Sequence, residues 1–163
     1  MKIKPIQKKD LKILEEELNH NTLPWLHGKK LKEQLKGNTL WFIAWEDKEP
    51  IAHVQIRFEG SNSPEVKLKD CPHVETLYVK DKFRKQGVAT KIMNFCERLV
   101  KKKGYSRIGL AVEKGNKFLL KLYNERGYND WEKGLVIEFW KEQHGSELKK
   151  VTEKCQYLIK NLK

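Results

Sequence analysis

The chain has 163 residues, a length that predicts one domain spanning residues 1–163 around a single hydrophobic core. Its 34 lysines and arginines exceed its 22 aspartates and glutamates, and the net charge of +12 favours an anionic partner such as a phosphate, a nucleic acid or an acidic metabolite. The densest apolar run, LWFIAW, is far shorter than the roughly 20 residues that cross a bilayer, which argues against a membrane protein.

The N-terminal half is predicted to contain a short strand, two helices and a β-hairpin. KIKPIQ is typical of a strand, and Leu11, Leu14 and Leu18 recur at helical spacing after it. A second, smaller helix is predicted from Gly28 to Lys36. TLWFIAWE and PIAHVQIRFE are rich in aromatic and branched residues and are separated by polar residues, which predicts an antiparallel hairpin.

Strands and helices alternate in the second half of the chain. HVETLYV is predicted to be a strand, and the helix after it begins near Gln86 and ends at the three lysines before Gly104. YSRIGLAV is the next predicted strand, followed by a helix from Asn116 to Arg126 that ends at Gly127, and then by the strand-like pieces YNDW and LVIEFW. Residues 147–162 repeat like a helix but also alternate like a strand, so both structures stay open. This order predicts an α/β fold with a sheet of mixed direction.

The cysteines and the N-terminus indicate a cellular compartment. Cys71, Cys96 and Cys155 form no Cys-x-x-Cys pair, and their odd number argues against a disulfide framework. The first ten residues, MKIKPIQKKD, lack the apolar stretch of a secretory leader. We therefore expect a reducing, cytoplasmic environment.

The stretch RKQGVATK joins a predicted strand to a predicted helix. The first N–H groups of a helix have no partner inside it and lie at the positive end of its dipole, so they favour anions. Gly87 lets the backbone approach an oxyanion, and Val88 and Ala89 keep long side chains away. Arg84 and Lys85 add positive charge beside the amides. The pattern predicts a phosphate-binding turn that matches neither a P-loop nor a dinucleotide fingerprint.

The pattern Arg84-x-x-Gly87-x-Ala89 resembles the coenzyme A pyrophosphate signature of the GNAT superfamily of acetyl-CoA-dependent N-acetyltransferases. Further along the chain, GNKFLLKLYNERGY resembles a later signature of the same superfamily, in which an asparagine opens a helix and a tyrosine, a glycine and an aromatic residue follow. The best-matched core is 74–131. Leu119 departs from the alanine that is usual in the family, and Ala89 replaces the commoner second glycine.

The resemblance implies a single-domain GNAT-like α/β fold, with a mixed, mostly antiparallel central sheet flanked by about four helices. Two central parallel strands would splay apart, commonly beside a bulge, and leave a wedge for pantetheine. The implied cosubstrate is acetyl-CoA, and no metal is expected. The residues implied to bind coenzyme A are Leu77, Tyr78, Val79, Arg84, Lys85, Gln86, Gly87, Val88, Ala89, Thr90, Asn116, Leu119 and Tyr123.

Acetylation of an amine requires two proton transfers, for which the sequence offers candidates. A primary amine is mostly protonated at neutral pH, so a base must remove a proton before attack. Glu75 is the first candidate, His73 the second and His53 a third. Alternation predicts that Glu75 and His73 share a strand face with Leu77 and Val79. The resemblance assigns Tyr123 to protonation of the leaving thiolate, although a core aromatic residue is the alternative interpretation.

The acceptor side is less clearly marked. The resemblance puts acceptor contacts on NTLPWLHGKK and on the loop before HVETLYV, which makes Trp25, His27 and Glu75 the predicted acceptor-binding residues. Trp41 and Trp45 are further candidates, although tryptophans more often belong to the core.

Together these residues predict an N-acetyltransferase that moves the acetyl group of acetyl-CoA to the primary amine of a small molecule by direct attack in a ternary complex. A protein or peptide N-acetyltransferase is the alternative with the same chemistry. A basic nucleic-acid-binding module without catalysis is disfavoured, because the sequence has no RNP-type aromatic motif, zinc spacing or recognition helix. A coenzyme A-binding protein without turnover stays open, as does a homodimer, and no membrane partner is expected.

Overall fold

The structure, a computed structural model, describes residues 1–18 and 24–163. Within these ranges the side chains of 24–27 and of Gln143 are not described. The described part of the chain contains seven β-strands and four α-helices, and none of these helices combines the length and the apolar character needed to span a bilayer. Two compact units divide the chain: Met1–Arg57 with Val74–Cys96, and Phe58–His73 with Glu97–Lys163.

The first unit is built on four neighbouring strands in the order β1, β2, β3, β4. β1 is antiparallel to β2, and β2 is antiparallel to β3, so the predicted hairpin is confirmed. Helix α2 begins earlier than the predicted Gly28. The elements in chain order are β1 (Lys2–Pro5), α1 (Leu11–Glu17), α2 (Pro24–Leu35), β2 (Thr39–Glu46), β3 (Glu49–Arg57), β4 (His73–Val79) and α3 (Val88–Lys102).

Both faces of the β2 strand in the first unit are covered by helices. Phe42 packs edge-to-face against Phe95 of α3, with ring centroids 4.9 Å apart. On the opposite face, α1 and α2 cover an apolar cluster in which Tyr78 is half-buried. The leucines that recur at helical spacing in the sequence supply part of this cluster. Its buried members are Ile6, Leu14, Leu18, Trp41 and Ile43.

Helix α3 is amphipathic and 15 residues long. Its apolar residues recur every three or four positions, which places them on one buried face. The helix begins at Val88 rather than at the predicted Gln86, because Gly87 has a φ of 77° and therefore lies outside the helical region. The buried residues of the helix are Val88, Ile92, Met93, Cys96 and Val100.

The second unit contains three neighbouring strands in the order β5, β7, β6. β7 is antiparallel to both of its neighbours, so the final segment, left open by the sequence, is a strand. YNDW and LVIEFW belong to one strand whose register shifts between Asp130 and Leu135. The elements are β5 (Arg107–Glu113), α4 (Lys117–Glu125), β6 (Asn129–His144) and β7 (Glu147–Asn161).

A hydrogen-bonded cluster around Glu97 holds the end of α4 in the second unit. The Glu97 carboxylate accepts hydrogen bonds from Arg126 Nη2 at 2.8 Å, from Lys160 Nζ at 2.7 Å and from the Tyr128 hydroxyl at 3.2 Å. Only 13% of the Glu97 side chain is exposed, so these bonds are only weakly screened by solvent. Within the second unit, the cluster fixes the end of α4 against Glu97 and β7.

Gly109 of β5 lies directly against the Tyr157 ring of β7. A Cβ at Gly109 would lie 2.3 Å from Tyr157 Oη and 2.7 Å from Cζ, and Tyr157 is fully buried. We therefore expect Gly109→Ala to destabilise the fold by about 1–3 kcal/mol through overpacking, measured by denaturant unfolding. The control is Gly28→Ala, where a Cβ meets no atom within 4 Å and the change should be neutral or slightly stabilising. Equal stability of the two variants would contradict the packing.

Candidate active site

The turn between β4 and α3 has the backbone geometry of an anion-binding corner. Lys85 has a φ of 59° and Gly87 a φ of 77°, so the chain reverses sharply before the helix. The amide of Lys91 donates to the Gly87 carbonyl at 3.0 Å, which is the first hydrogen bond of α3. The helical N–H groups before Lys91 have no acceptor within the helix. They lie at the positive end of the α3 dipole.

The space at Gly87 is open. A Cβ placed on Gly87 would meet no atom within 4 Å, and the residue is exposed. An oxyanion can therefore approach the amides without displacing a side chain. The corner can therefore admit an anion, and the pyrophosphate of coenzyme A as that anion stays a prediction of the sequence pattern.

Two side chains of the turn bond to its own backbone. Arg84 Nε donates to the Val79 carbonyl at 3.0 Å, and Arg84 Nη2 lies 3.0 Å from Asp81 Oδ1. Gln86 Nε2 donates to the Lys82 carbonyl at 2.8 Å. These contacts indicate that Arg84 and Gln86 shape the turn, a role that the sequence pattern did not distinguish from direct contact with a ligand.

Thr76 of β4 has a φ of 51°, which is uncommon for a β-branched residue and interrupts the regular alternation of the strand. Before Thr76, Glu75 Oε1 lies 4.0 Å from Arg57 Nη1. After it, the ring centroid of Tyr78 lies 5.7 Å from that of His53. Arg57 and His53 are four residues apart in β3 and therefore share one face of the strand.

Glu75 and Tyr78 consequently point to the same side of β4, although they are three residues apart. This is the side that α1 and α2 cover. Alternation predicted that Glu75 would share its face with Leu77, and that prediction is wrong because the positive φ of Thr76 interrupts the alternation of the strand. The first unit therefore directs Glu75 toward the α2 side.

Glu75 occupies a sparsely hydrated position between two cations. A quarter of its side chain, 25%, is exposed. Burial raises the pKa of Glu75, and the positive charges of Arg57 and Lys30 oppose that effect without cancelling it. A carboxylate whose pKa is raised toward neutrality is a better proton acceptor for an amine than an ordinary surface glutamate.

Lys30 of α2 lies over the indole ring of Trp41, with Nζ 5.0 Å from the ring centroid. Burial lowers the pKa of Lys30, and the Glu75 charge partly opposes this effect. Neither Lys30 nor Arg57 was predicted as a site residue. Helical spacing is the signal that relates Lys30 to the strands. Lys30 lies one turn before Gln34 and so shares its helix face, and the Gln34 side chain accepts a hydrogen bond from Trp41 N of β2 at 2.8 Å.

The other candidates of the first unit lie in the core or outside the described side chains. Trp41 is only 1% exposed, and its Nε1 donates to Nδ1 of His53 at 3.4 Å. His53 is only 4% exposed, which disfavours it as a base for an incoming amine. Trp45 packs against the same cluster. The side chains of Trp25 and His27 lie outside the described residues, and their acceptor role stays a prediction.

In the second unit, α4 begins as the sequence pattern predicts. Asn116 is its N-cap, and Asn116 Oδ1 accepts a hydrogen bond from Leu119 N at 3.1 Å. Leu119 and Tyr123 are both half-buried. The Tyr123 ring contacts that of Tyr128 edge-to-face, with centroids 5.6 Å apart. The cofactor roles of Asn116, Leu119 and Tyr123 stay predictions based on the resemblance.

His73 belongs to the second unit and is 3% exposed. Its imidazole stacks on the Tyr157 ring, with centroids 5.7 Å apart and an interplanar angle of 9°. His73 is therefore a core histidine packed against a buried aromatic ring. This burial disfavours His73 relative to Glu75 as the base, because an acceptor amine must reach the proton acceptor.

Comparison with known proteins places these features in a family. The sequence model of the acetyltransferase (GNAT) family matches residues 9–128. An N-acetyltransferase from Staphylococcus aureus Mu50 has a TM-score of 0.71 and 15% identity, with 99% of this chain and 98% of that one covered. The ribosomal-protein-alanine N-acetyltransferase from Brucella melitensis has a TM-score of 0.72 and 12% identity, with 99% and 100% covered. The paia N-acetyltransferase from Thermoplasma acidophilum, in complex with coenzyme A, has a TM-score of 0.61 and 14% identity, with 99% of each covered.

The similar structures show that this chain has the α/β fold of N-acetyltransferases, as predicted. Since the family match spans well over half of the sequence, the chain belongs to the acetyltransferase (GNAT) family. It is an acetyl-CoA-dependent N-acetyltransferase, which confirms the predicted enzyme class.

Proposed function

We propose that the protein is a single domain that acetylates the primary amine of a small molecule by direct attack in a ternary complex. The observation that carries this proposal is the pairing, within the first unit, of an open anion-binding corner at Gly87 with a sparsely hydrated carboxylate at Glu75. The recessed position of Glu75 suits a compact acceptor. A protein acceptor is the second candidate, because the similar protein from Brucella melitensis is a ribosomal-protein-alanine N-acetyltransferase.

The start of α3 is the proposed pyrophosphate site. The backbone amides of residues 85–90 would donate to the phosphate oxygens, and the backbone of Leu77, Tyr78 and Val79 would bind the pantetheine amides. When bound, acetyl-CoA supplies the acetyl group as a reactive thioester. The coenzyme A complex of the Thermoplasma acidophilum protein supports coenzyme A as the ligand.

Two side chains are proposed to handle the protons. Glu75 removes a proton from the acceptor ammonium, directly or through a water molecule, so that the neutral amine attacks. Tyr123 donates a proton or a hydrogen bond to the departing thiolate, as the resemblance implies. His53 and His73 have no role as the base in this proposal, because both are buried.

The direct test combines ligand binding with turnover. Acetyl-CoA at about 100 times its Kd should stabilise the fold by about 2.7 kcal/mol, or roughly 5–10 °C in Tm for a domain of this size. A library of primary amines, monitored by free-thiol release, should then reveal turnover. Salt-sensitive retention on heparin without stabilisation by acetyl-CoA would contradict the proposal and favour nucleic-acid binding.

Tyr123→Phe should lower kcat at least about tenfold while changing the Kd for coenzyme A by less than about threefold. The change removes only the hydroxyl group, and general acid catalysis contributes about 10²–10⁴ to a rate. A free-thiol assay measures kcat, and isothermal titration calorimetry measures the Kd for coenzyme A. The control is Tyr105→Phe, which removes a hydroxyl from a ring stacked on Phe58 in the same unit. Equal kcat values for Tyr123→Phe and wild type would assign Tyr123 to packing alone.

A further inference from the structure

Lys30 is an inward-facing cation on α2. Gln34, one helical turn later, bonds inward through its side chain, donating to the Ile6 carbonyl at 2.9 Å. Lys30 is itself half-buried, and its ammonium lies over the Trp41 ring. The side chain therefore reaches toward the strands rather than into solvent, unlike its exposed neighbour Lys29.

The Lys30 ammonium has no ion-pair partner among the described residues. Carboxylates within 4.0 Å of a cation are frequent elsewhere in this unit, as in the pairs of Lys80 with Glu17 and Glu49. Glu75 acts on Lys30 only at longer range. A partly desolvated ammonium that relies on one aromatic face is poorly compensated, and an anion beside it would be stabilising.

The groups around Glu75 carry more positive than negative charge. Arg57 lies 4.0 Å from the Glu75 carboxylate, and Lys30 acts on the same carboxylate from α2. With Glu75 ionised, the three groups sum to one positive charge, and with Glu75 protonated they sum to two. An acceptor that carries only ammonium groups would be repelled here, whereas an acceptor with an added anion would be attracted.

We propose that the acceptor is an amine that also carries a carboxylate, and that Lys30 binds this carboxylate while Glu75 receives the proton of the amine. The inference rests on the proposed function, because it takes Glu75 as the base. Because Lys30 and Glu75 act on each other electrostatically, the primary amine and the carboxylate would belong to one small molecule, such as an amino acid. Lys30 thus sets acceptor specificity and takes no part in the proton transfers.

The experiment compares amines with and without the carboxylate. The substrate pairs are amino acids and their decarboxylated amines: lysine and cadaverine, arginine and agmatine, histidine and histamine, tyrosine and tyramine, tryptophan and tryptamine. Wild-type protein should acetylate the carboxylate-bearing member of at least one pair with a kcat/KM about tenfold or more above its partner. Two peptides that begin with Glu or Gln form a further arm, which distinguishes a peptide source of the carboxylate from a free amino acid.

Variants of α2 assign the preference to Lys30. Lys30→Met should reduce the preference to less than about threefold, chiefly by raising KM for the carboxylate-bearing amine, and Lys30→Arg should retain most of it. Lys32→Met, the matched loss of one exposed lysine on α2, should behave like wild type. Melting temperatures report whether each variant is folded, and Lys30→Arg keeps the test valid if Lys30→Met is unstable.

The outcomes separate the two proposals. Transfer to the decarboxylated amines at equal or higher efficiency would overturn the carboxylate inference and leave the proposed acetyltransferase intact. Stabilisation by acetyl-CoA with transfer to no member of the panel would also overturn the inference alone. Absence of both stabilisation and transfer would overturn the proposed function. A preference for the Glu peptide over all free amino acids would overturn the proposed small-molecule acceptor and identify a peptide as the acceptor.

Discussion

Replacing Gly87 by glutamate is expected to weaken coenzyme A binding at least about 100-fold while leaving a folded protein. The new carboxylate would stand in the open space before the amides of α3, where nothing lies within 4 Å of the position of the Cβ. Two unit charges about 6 Å apart repel by roughly 3 kcal/mol at an effective dielectric constant of about 20, which corresponds to about 100-fold in Kd. Isothermal titration calorimetry with coenzyme A measures the effect.

Backbone strain must be separated from this repulsion. Gly87 has a φ of 77°, so any side chain there costs about 1–2 kcal/mol of folding free energy. Gly104 provides the matched control, because its φ is 91°, its Cβ position is equally open and it follows the opposite end of α3. Gly104→Glu should show similar destabilisation with an unchanged Kd. An unchanged Kd in Gly87→Glu as well would refute the proposed pyrophosphate site.

Glu75→Gln should lower kcat/KM at neutral pH by about 10²-fold or more, with partial recovery at high pH. The wild-type rate should rise with pH as Glu75 loses its proton, and this rise should lie above the range of an ordinary glutamate because burial raises the Glu75 pKa. Glu75→Gln lacks this rise, because its side-chain amide does not titrate. Its rate should increase only toward the pKa of the free amine near 10, where the acceptor deprotonates unaided. Full pH profiles of kcat/KM measure both behaviours.

Glu33→Gln is the matched control for the loss of a carboxylate in the first unit. Glu33 lies on α2, is 41% exposed and pairs with Lys36 at 3.2 Å. Its replacement should leave the pH profile unchanged, since an exposed pair of this kind contributes little. If Glu75→Gln gives the wild-type profile, the carboxylate serves only its ion pair with Arg57.

Local patterns predicted the elements of this protein well and their ends less well. The hydrophobic spacing of α3 and the cap at Asn116 are properties of a few neighbouring residues, so they can be identified without the fold. The final segment could not be assigned in this way, because its apolar residues satisfy both periods. Pairing with β5 and β6 settles it as a strand, and that pairing joins residues that are distant in sequence.

The proposed pyrophosphate site and the proposed base also differ in how far the sequence alone predicts them. Gly87 and its neighbours specify a turn through their own conformational freedom, and the GNAT family match agrees with that interpretation. The direction of Glu75 depends instead on Thr76, a β-branched residue that adopts a positive φ against its own preference. Only contacts made elsewhere in the fold can hold such a residue, so alternation assigned Glu75 to the wrong face.

By itself the sequence determined the α/β class, the order of most elements and the turn before α3, because each depends on spacing and backbone preference within a short segment. The tertiary structure alone decided that the charges of Lys30 and Arg57 act on Glu75, since the three residues come from α2, β3 and β4. The charges that surround Glu75 are set by packing between distant segments, and no local pattern encodes the distance between them.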